Sequence, residues 1–307
     1  MRIAVIGAGG VGGYFGAKLA LAGNDVTFVA RGRHLAAVRA DGLRVETGGR
    51  TLVVNPAQAS GDIASIGPVD VAMFCVKLWD VEATAAALAP LVAEGGVVVP
   101  LQNGVDAPEI LRRALGVDRV LGGVAYIAAT IRSPGVVAHT GSMARLRVGA
   151  FDASLASRAE AFVGACRAAE FDCELAPDIR RALWEKFVFL AAMSGCTALA
   201  RQPVGVVRSD PELRATLQAA MQEAVDAGRA RGVTLAPDFV AQQMKFLDGL
   251  PAEMRSSMMN DLLAGNRLEA PWLSGAVARM ARESGTSAPV SATIYAALKP
   301  YVDGVPR

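Results

Sequence analysis

The residues that could do chemistry fall into three groups. The first is a glycine-rich turn, Gly7-Ala8-Gly9-Gly10-Val11-Gly12, placed after the apolar run Arg2–Ile6 and before helical text. A GxGxxG in that context makes a tight turn, admits a pyrophosphate close to the backbone and leaves free N–H groups at a helix N-terminus. Gly7, Gly9, Gly10, Val11 and Gly12 are therefore expected to hold a dinucleotide. The next strand ends Val29-Ala30-Arg31-Gly32-Arg33, with no acid for the ribose hydroxyls. Arg31, with Arg33 beside it, suits a 2′-phosphate through a forked, charge-assisted contact. The expected cofactor is NADPH (NADP) rather than NAD, and nothing further along favours a flavin.

The second group stands at two later strand ends. Cys75-Val76-Lys77 and Leu101-Gln102-Asn103-Gly104 both follow apolar runs. Ligands of open α/β sheets lie beyond the carboxyl ends of the strands. Lys77 offers a positive charge to a cofactor or substrate anion. Asn103 offers an amide that donates and accepts at once. A solvated end and an Asn-Gly turn describe the same residues equally well.

The third group lies further on. Lys186 heads an uncharged run, Phe187 to Ala200, and Glu269 precedes another apolar segment. A desolvated lysine has a lowered pKa and makes a better acid near neutral pH. On the residues alone, a snorkelling helix lysine and a solvated helix-entry acid are the favoured readings.

The elements that position these groups follow from periodicity. Strand, glycine turn, helix and strand over 2–30 form a βαβ unit. DVAMFCVK (70–77), the alanine-rich helix 81–93 and GVVVPLQN (96–103) repeat it. Near-continuous apolar strands imply a parallel sheet covered on both faces. Residues 120–150 read as a hairpin with a Pro-Gly turn that ends the sheet in mixed pairing. After about residue 176 the text is helical: 178–200, 210–231, 237–247, 256–264, 272–284 and 289–298, with Ser209-Asp210-Pro211 as a helix start. The fold class is α/β: an N-terminal Rossmann-type dinucleotide-binding domain over 1–176 and an all-α substrate and catalytic domain over 177–307.

A net charge of +2, from 31 basic and 29 acidic residues spread along the chain, argues against a nucleic-acid partner or an anionic membrane surface. Cys75, Cys166, Cys173 and Cys196 lack CxxC spacing, and with His34 and His139 the only histidines a metal site is not expected. Reduced thiols and a cytoplasmic setting are the default. The uncharged stretch Ile3–Ala17 is too glycine-rich for a signal peptide. No apolar stretch reads as a membrane span.

Taken in order, these features resemble the ketopantoate reductases (2-dehydropantoate 2-reductases). The resemblance runs the length of the chain: the glycine turn, Lys77, Asn103-Gly104, GVVAHTG (135–141), Leu183-Trp184-Glu185-Lys186, Ser256-Ser257-Met258 and Glu269. It implies NADPH-dependent reduction of a 2-oxo acid, with ketopantoate the leading substrate and pantoate synthesis for coenzyme A the pathway. It makes Lys186 the general acid, Glu269 the holder of the substrate's hydroxyl end, Ser257 a substrate contact, and Asn103 a neighbour of nicotinamide and substrate. A site split between Asn103 and Lys186/Glu269 implies a closing cleft. The chain departs from the family where substrate amides are expected. Two asparagines that follow the lysine on its helix face are Leu190 and Ser194 here, and a third is Met254. Leu190 and Ser194 thus occupy substrate-binding positions with altered chemistry, and the Leu190 and Met254 replacements favour a bulkier or more apolar 2-oxo acid as the alternative. A non-catalytic NADPH sensor is the alternative of another class. The apolar second-half helices leave a homodimer open; an intramolecular core explains them as well.

Overall fold

The computed structural model describes residues 1–93 and 95–304. The chain forms two compact units: Met1–Gln102 with Asp106–Ala182, and Asn103–Val105 with Leu183–Arg307. In chain order the first unit contains β1 (Arg2–Ile6), α1 (Gly10–Leu21), β2 (Asp25–Val29), α2 (Gly32–Asp41), β3 (Leu43–Thr47), β4 (Arg50–Val54) and β5 (Gln58–Ser60). It continues with β6 (Val71–Phe74), α3 (Val81–Ala85), β7 (Val97–Pro100), α4 (Asp106–Leu115), β8 (Gly122–Ser133), β9 (Val136–Gly149), α5 (Ala156–Ala168) and β10 (Asp172–Leu175).

Five strands form an all-parallel sheet in the order β5-β2-β1-β6-β7. β6 (VAMF) and β7 (VVVP) are buried at every position, as strands covered on both faces must be. The chain reverses its winding between β1 and β6, so their carboxyl ends and that of β2 open on one crevice.

The expected hairpin forms as β8 and β9, with Gly135 at φ +78° in its turn. It does not finish the parallel sheet. It belongs to a second, mixed sheet ordered β10-β9-β3-β4, with β8 on β9. β3, β4 and β5 are not anticipated: β3 (LRVET) alternates over too few residues to stand out, and β4 (RTLVV) and β5 (QAS) do not alternate. The expected helix over 81–93 is also broken. α3 ends at Ala85, and short 3-10 turns follow at Ala86–Leu88 and Pro90–Val92. Pro90 has no N–H to donate and its ring crowds the preceding turn.

The helices continue as α6 (Ile179–Ala200), α7 (Val204–Ser209), α8 (Pro211–Ala230), α9 (Phe239–Asp248), α10 (Ser257–Leu263), α11 (Ser274–Ser284) and α12 (Pro289–Leu298). The division between units falls inside α6. Of these the short α7 is not anticipated, and neither are α2, α4 and α5 of the first unit. Asp210 caps α8, accepting from Leu213 N–H at 2.9 Å, with Pro211 at the first helical position. The reading that no stretch resembles a membrane span needs correction. α6 has that length and composition, but 72% of its most apolar window is buried within the protein. Its apolar residues, Phe187, Val188 and Ala191 among them, belong to the core of the second unit. Gly228 of α8 lets Trp184 pack directly on the helix, since a Cβ there would lie 2.7 Å from the indole.

Glu223 ties α8 to α12. Its buried carboxylate accepts from Val290 N–H at 2.8 Å and Ser291 N–H at 2.7 Å, two donors in the first turn of α12. Glu223→Ala strands both donors. The expected cost is about 2–4 kcal/mol, read as a thermal midpoint lower by roughly 5–10 °C. A midpoint within a degree of wild type would contradict this capping role.

Candidate active site

The glycine loop leaves β1 and enters α1 without a side-chain cap. Gly9 is the N-cap, and no acid occupies the first helical turn. Each of the other loop glycines answers a demand of the protein. Gly7 has φ +101°, and a Cβ there would lie 2.9 Å from the Cys75 carbonyl carbon. At Gly10 a Cβ would fall 2.0 Å from the Ala129 carbonyl oxygen, and at Gly12 2.3 Å from that of Gly7. Gly9 is different: an added Cβ would meet no protein atom within 4 Å, and its φ of −78° is open to any residue. The fold needs no glycine at Gly9, whereas a phosphate lying against the backbone does. The loop therefore fits a dinucleotide pyrophosphate on its own geometry.

Other polar groups gather at the same strand ends. Arg31, the exposed N-cap of α2, stands 3.9 Å from Asp80, a long and solvent-screened pair. Lys77 follows the end of β6 and lies 5.5 Å from the centre of the Trp79 ring. Gln102 Nε2 donates to the carbonyls of Phe74 and Val76, at 2.9 and 3.0 Å. This amide, given no role from the sequence, ties the residues after β7 to the end of β6. Its Oε1 is buried with no partner among the described residues. The sequence reading also passed over His34, whose ring bonds to the glycine loop.

In the second unit, Asn103, Lys186 and Glu269 form one hydrogen-bonded chain. Lys186 Nζ donates to Asn103 Oδ1 at 2.9 Å, and Asn103 Nδ2 donates to Glu269 Oε2 at 3.2 Å. The asparagine amide thus uses both functions at once. Asn103–Val105 group with the helical unit, so these three residues share one compact body rather than straddling a divide. Close approach makes this feasible: at Gly104, with φ +85°, a Cβ would lie 3.1 Å from the Trp272 carbonyl oxygen.

Lys186 keeps some exposed surface, yet protein packed around its ammonium pushes its pKa down to about 8. Desolvation is the larger cause, and the charge of Glu269 opposes it. The result is an amine that carries a proton at neutral pH and releases it readily.

The remaining substrate candidates are not joined to this chain by a hydrogen bond among the described residues. Leu190 is half-buried and packs on the core of the second unit. Ser194 is fully buried, and its hydroxyl has no partner among the described residues. Ser257 is exposed as the first residue of α10. Its neighbour Ser256 is buried and does the capping, accepting from Met259 N–H at 3.0 Å and bonding Thr197 at 2.8 Å. Met254 lies exposed before α10. Among the described residues no group of three or more His, Cys, Asp or Glu could hold a metal ion.

Comparison with known proteins matches this geometry to one family over both units. The model described as ketopantoate reductase PanE/ApbA matches residues 3–153, and that described as ketopantoate reductase PanE/ApbA, C terminal, matches residues 178–302. The 2-dehydropantoate 2-reductase of Halobacterium salinarum is 33% identical over 300 residues, 96% of each chain. The crystal structure of a PanE/ApbA family ketopantoate reductase from Ralstonia eutropha JMP134 superposes with a TM-score of 0.89 at 31% identity, covering 98% of both chains. That of a 2-dehydropantoate 2-reductase from Geobacter metallireducens GS-15 gives a TM-score of 0.90 at 29% identity, covering 98% of this chain and 99% of the other.

Proposed function

The chain belongs to the ketopantoate reductase family, oxidoreductases acting on CH–OH groups, and from that premise we propose that it reduces a small 2-oxo acid with NADPH, ketopantoate first among them, giving pantoate for coenzyme A synthesis in the cytoplasm. The observation that carries this reading is the Lys186–Asn103–Glu269 chain, a desolvated amine held in place beside a carboxylate. In this reading residues 1–176 bind the cofactor and residues 177–307 supply the substrate and catalytic groups, with Asn103 serving both.

Gly7, Gly9, Gly10, Val11 and Gly12 cradle the pyrophosphate, Arg31 meets the 2′-phosphate, and Lys77 adds positive charge. The cofactor, when bound, supplies a hydride to the carbonyl carbon. Lys186 donates its proton to the carbonyl oxygen as charge develops there. Asn103 orients that ammonium through its Oδ1. Glu269 holds the Asn103 amide in register and accepts from a substrate hydroxyl. The exposed hydroxyl of Ser257 is offered to the substrate, whereas that of the fully buried Ser194 is not. Leu190 presents a hydrocarbon surface.

Leu190 and the exposed Met254 support a second reading, a related reductase of a more apolar 2-oxo acid. A non-catalytic NADPH sensor has no use for an enclosed, pKa-lowered lysine. Steady-state rates with ketopantoate, 2-oxoisovalerate and phenylpyruvate, each with NADPH and NADH, decide among these. The expected result is the highest kcat/KM for ketopantoate with NADPH. Faster turnover of phenylpyruvate would favour the apolar reading, and no oxidation of NADPH by any acid would end the catalytic one.

A further inference from the structure

His34 is the third residue of α2 and takes no part in the roles assigned above. Its ring holds two backbone groups. Nε2 lies 2.8 Å from the Ala8 carbonyl oxygen, and Nδ1 lies 3.1 Å from the Gly135 nitrogen in the β8–β9 turn. A carbonyl only accepts, so Nε2 carries the hydrogen. A backbone N–H only donates, so Nδ1 is bare. Together the bonds select the neutral Nε2–H tautomer. Burial lowers the pKa of the ring, against the opposing pull of the Ala8 carbonyl, which agrees with a neutral imidazole.

The consequence falls on the peptide joining Ala8 to Gly9. Ala8 N–H is already committed to the Val29 carbonyl at 2.8 Å. With the Ala8 carbonyl held by His34, both backbone groups of Ala8 are tied. A trans peptide is planar, and its C=O and N–H point in opposite directions. Fixing the Ala8 carbonyl toward the imidazole therefore aims the Gly9 N–H away from it. Among the described residues that N–H has no acceptor, and Gly9 is the loop position whose missing Cβ faces no protein atom.

We propose that His34 is a positioning residue for the cofactor's pyrophosphate: it orients the Ala8–Gly9 peptide so that the Gly9 N–H is presented to a phosphate oxygen. The inference rests on the reading of the glycine loop as the dinucleotide site. It gives the start of α2 two tasks, a 2′-phosphate contact at Arg31 and a half-buried prop for the pyrophosphate loop three residues later.

Three variants separate the two bonds. His34→Gln can place an amide N–H near Nε2 and keep the bond to Ala8. His34→Asn can place an oxygen near Nδ1 and keep only the bond to Gly135. His34→Phe keeps neither. Calorimetric Kd values are compared for NADPH and for 2′-AMP, which carries the 2′-phosphate without a pyrophosphate. Loss of one well-placed hydrogen bond corresponds to about tenfold in affinity. The expected result is NADPH binding about tenfold weaker in the Asn and Phe variants, near wild type in Gln, with 2′-AMP unchanged in all three. If Phe proves unstable, the Gln–Asn contrast still decides. Unaltered NADPH binding in Asn, or equal weakening of both ligands, would overturn the proposal, the latter making His34 a support for α2 alone. Wild-type protein that fails to bind NADPH would overturn the cofactor assignment and this inference with it.

Discussion

Lys186→Ala is expected to lower kcat/KM for the 2-oxo acid by about 10²–10⁴, the range of a general acid, while leaving the Kd of NADPH unchanged. The lysine touches Asn103 and shares its unit with Glu269, whereas the glycine loop belongs to the other unit. Truncation should therefore spare cofactor binding and strip the carbonyl oxygen of its proton source. Lys186→Arg should be nearly as damaging, because a guanidinium holds its proton too tightly to donate it. The wild-type pH profile carries the same argument. Reduction needs the protonated amine, so kcat/KM should be level below the lysine's pKa of about 8 and fall as pH rises through it. Oxidation of the hydroxy acid needs the neutral amine and should rise over the same interval. A loss of less than tenfold in Lys186→Ala, or a profile that stays level well above pH 8, would remove Lys186 from the proton-transfer role.

Gly9→Val is expected to weaken NADPH binding by roughly tenfold to a hundredfold without lowering the thermal midpoint. Extra bulk forced against a packed neighbour costs about 1–3 kcal/mol. At Gly9 that neighbour would be the cofactor, since the protein itself offers nothing within 4 Å of the new Cβ. Gly12→Val supplies the contrast. Its Cβ would fall 2.3 Å from the Gly7 carbonyl oxygen and 2.8 Å from Val5 Cγ1, so the damage should appear as lost stability even without ligand. Two glycines three residues apart thus fail by different routes, one read by calorimetry and the other by thermal melting. Wild-type NADPH affinity in Gly9→Val would show that the pyrophosphate does not lie against this loop.

The parts of the fold legible in the sequence were those with local causes. The β1 turn and α1 announce themselves through glycines that a tight turn and close packing require. Asp210 and Pro211 mark the start of α8 because capping is a contact over three residues. The second sheet was not legible. β3 pairs with β9 from Arg44 to Val136 onward, and no local pattern encodes a partner that far along the chain. The site divides the same way. Without the family resemblance Lys186 reads as a snorkelling lysine, since its partner Asn103 stands 83 residues before it, and Asn103 and Glu269 are 166 residues apart.

By itself, then, the sequence determined the α/β class, the glycine loop and the helical second half, because spacing, capping and turn chemistry act over a few residues. It also carried the family, through motifs whose order survives without knowledge of their contacts. Only the tertiary structure decided that the Asn103 amide bridges lysine and glutamate, that Gly9 alone among the loop glycines serves no need of the fold, and that His34 grips the loop. Hydrogen bonds and desolvation act through space, and folding brings into range groups that the chain keeps far apart.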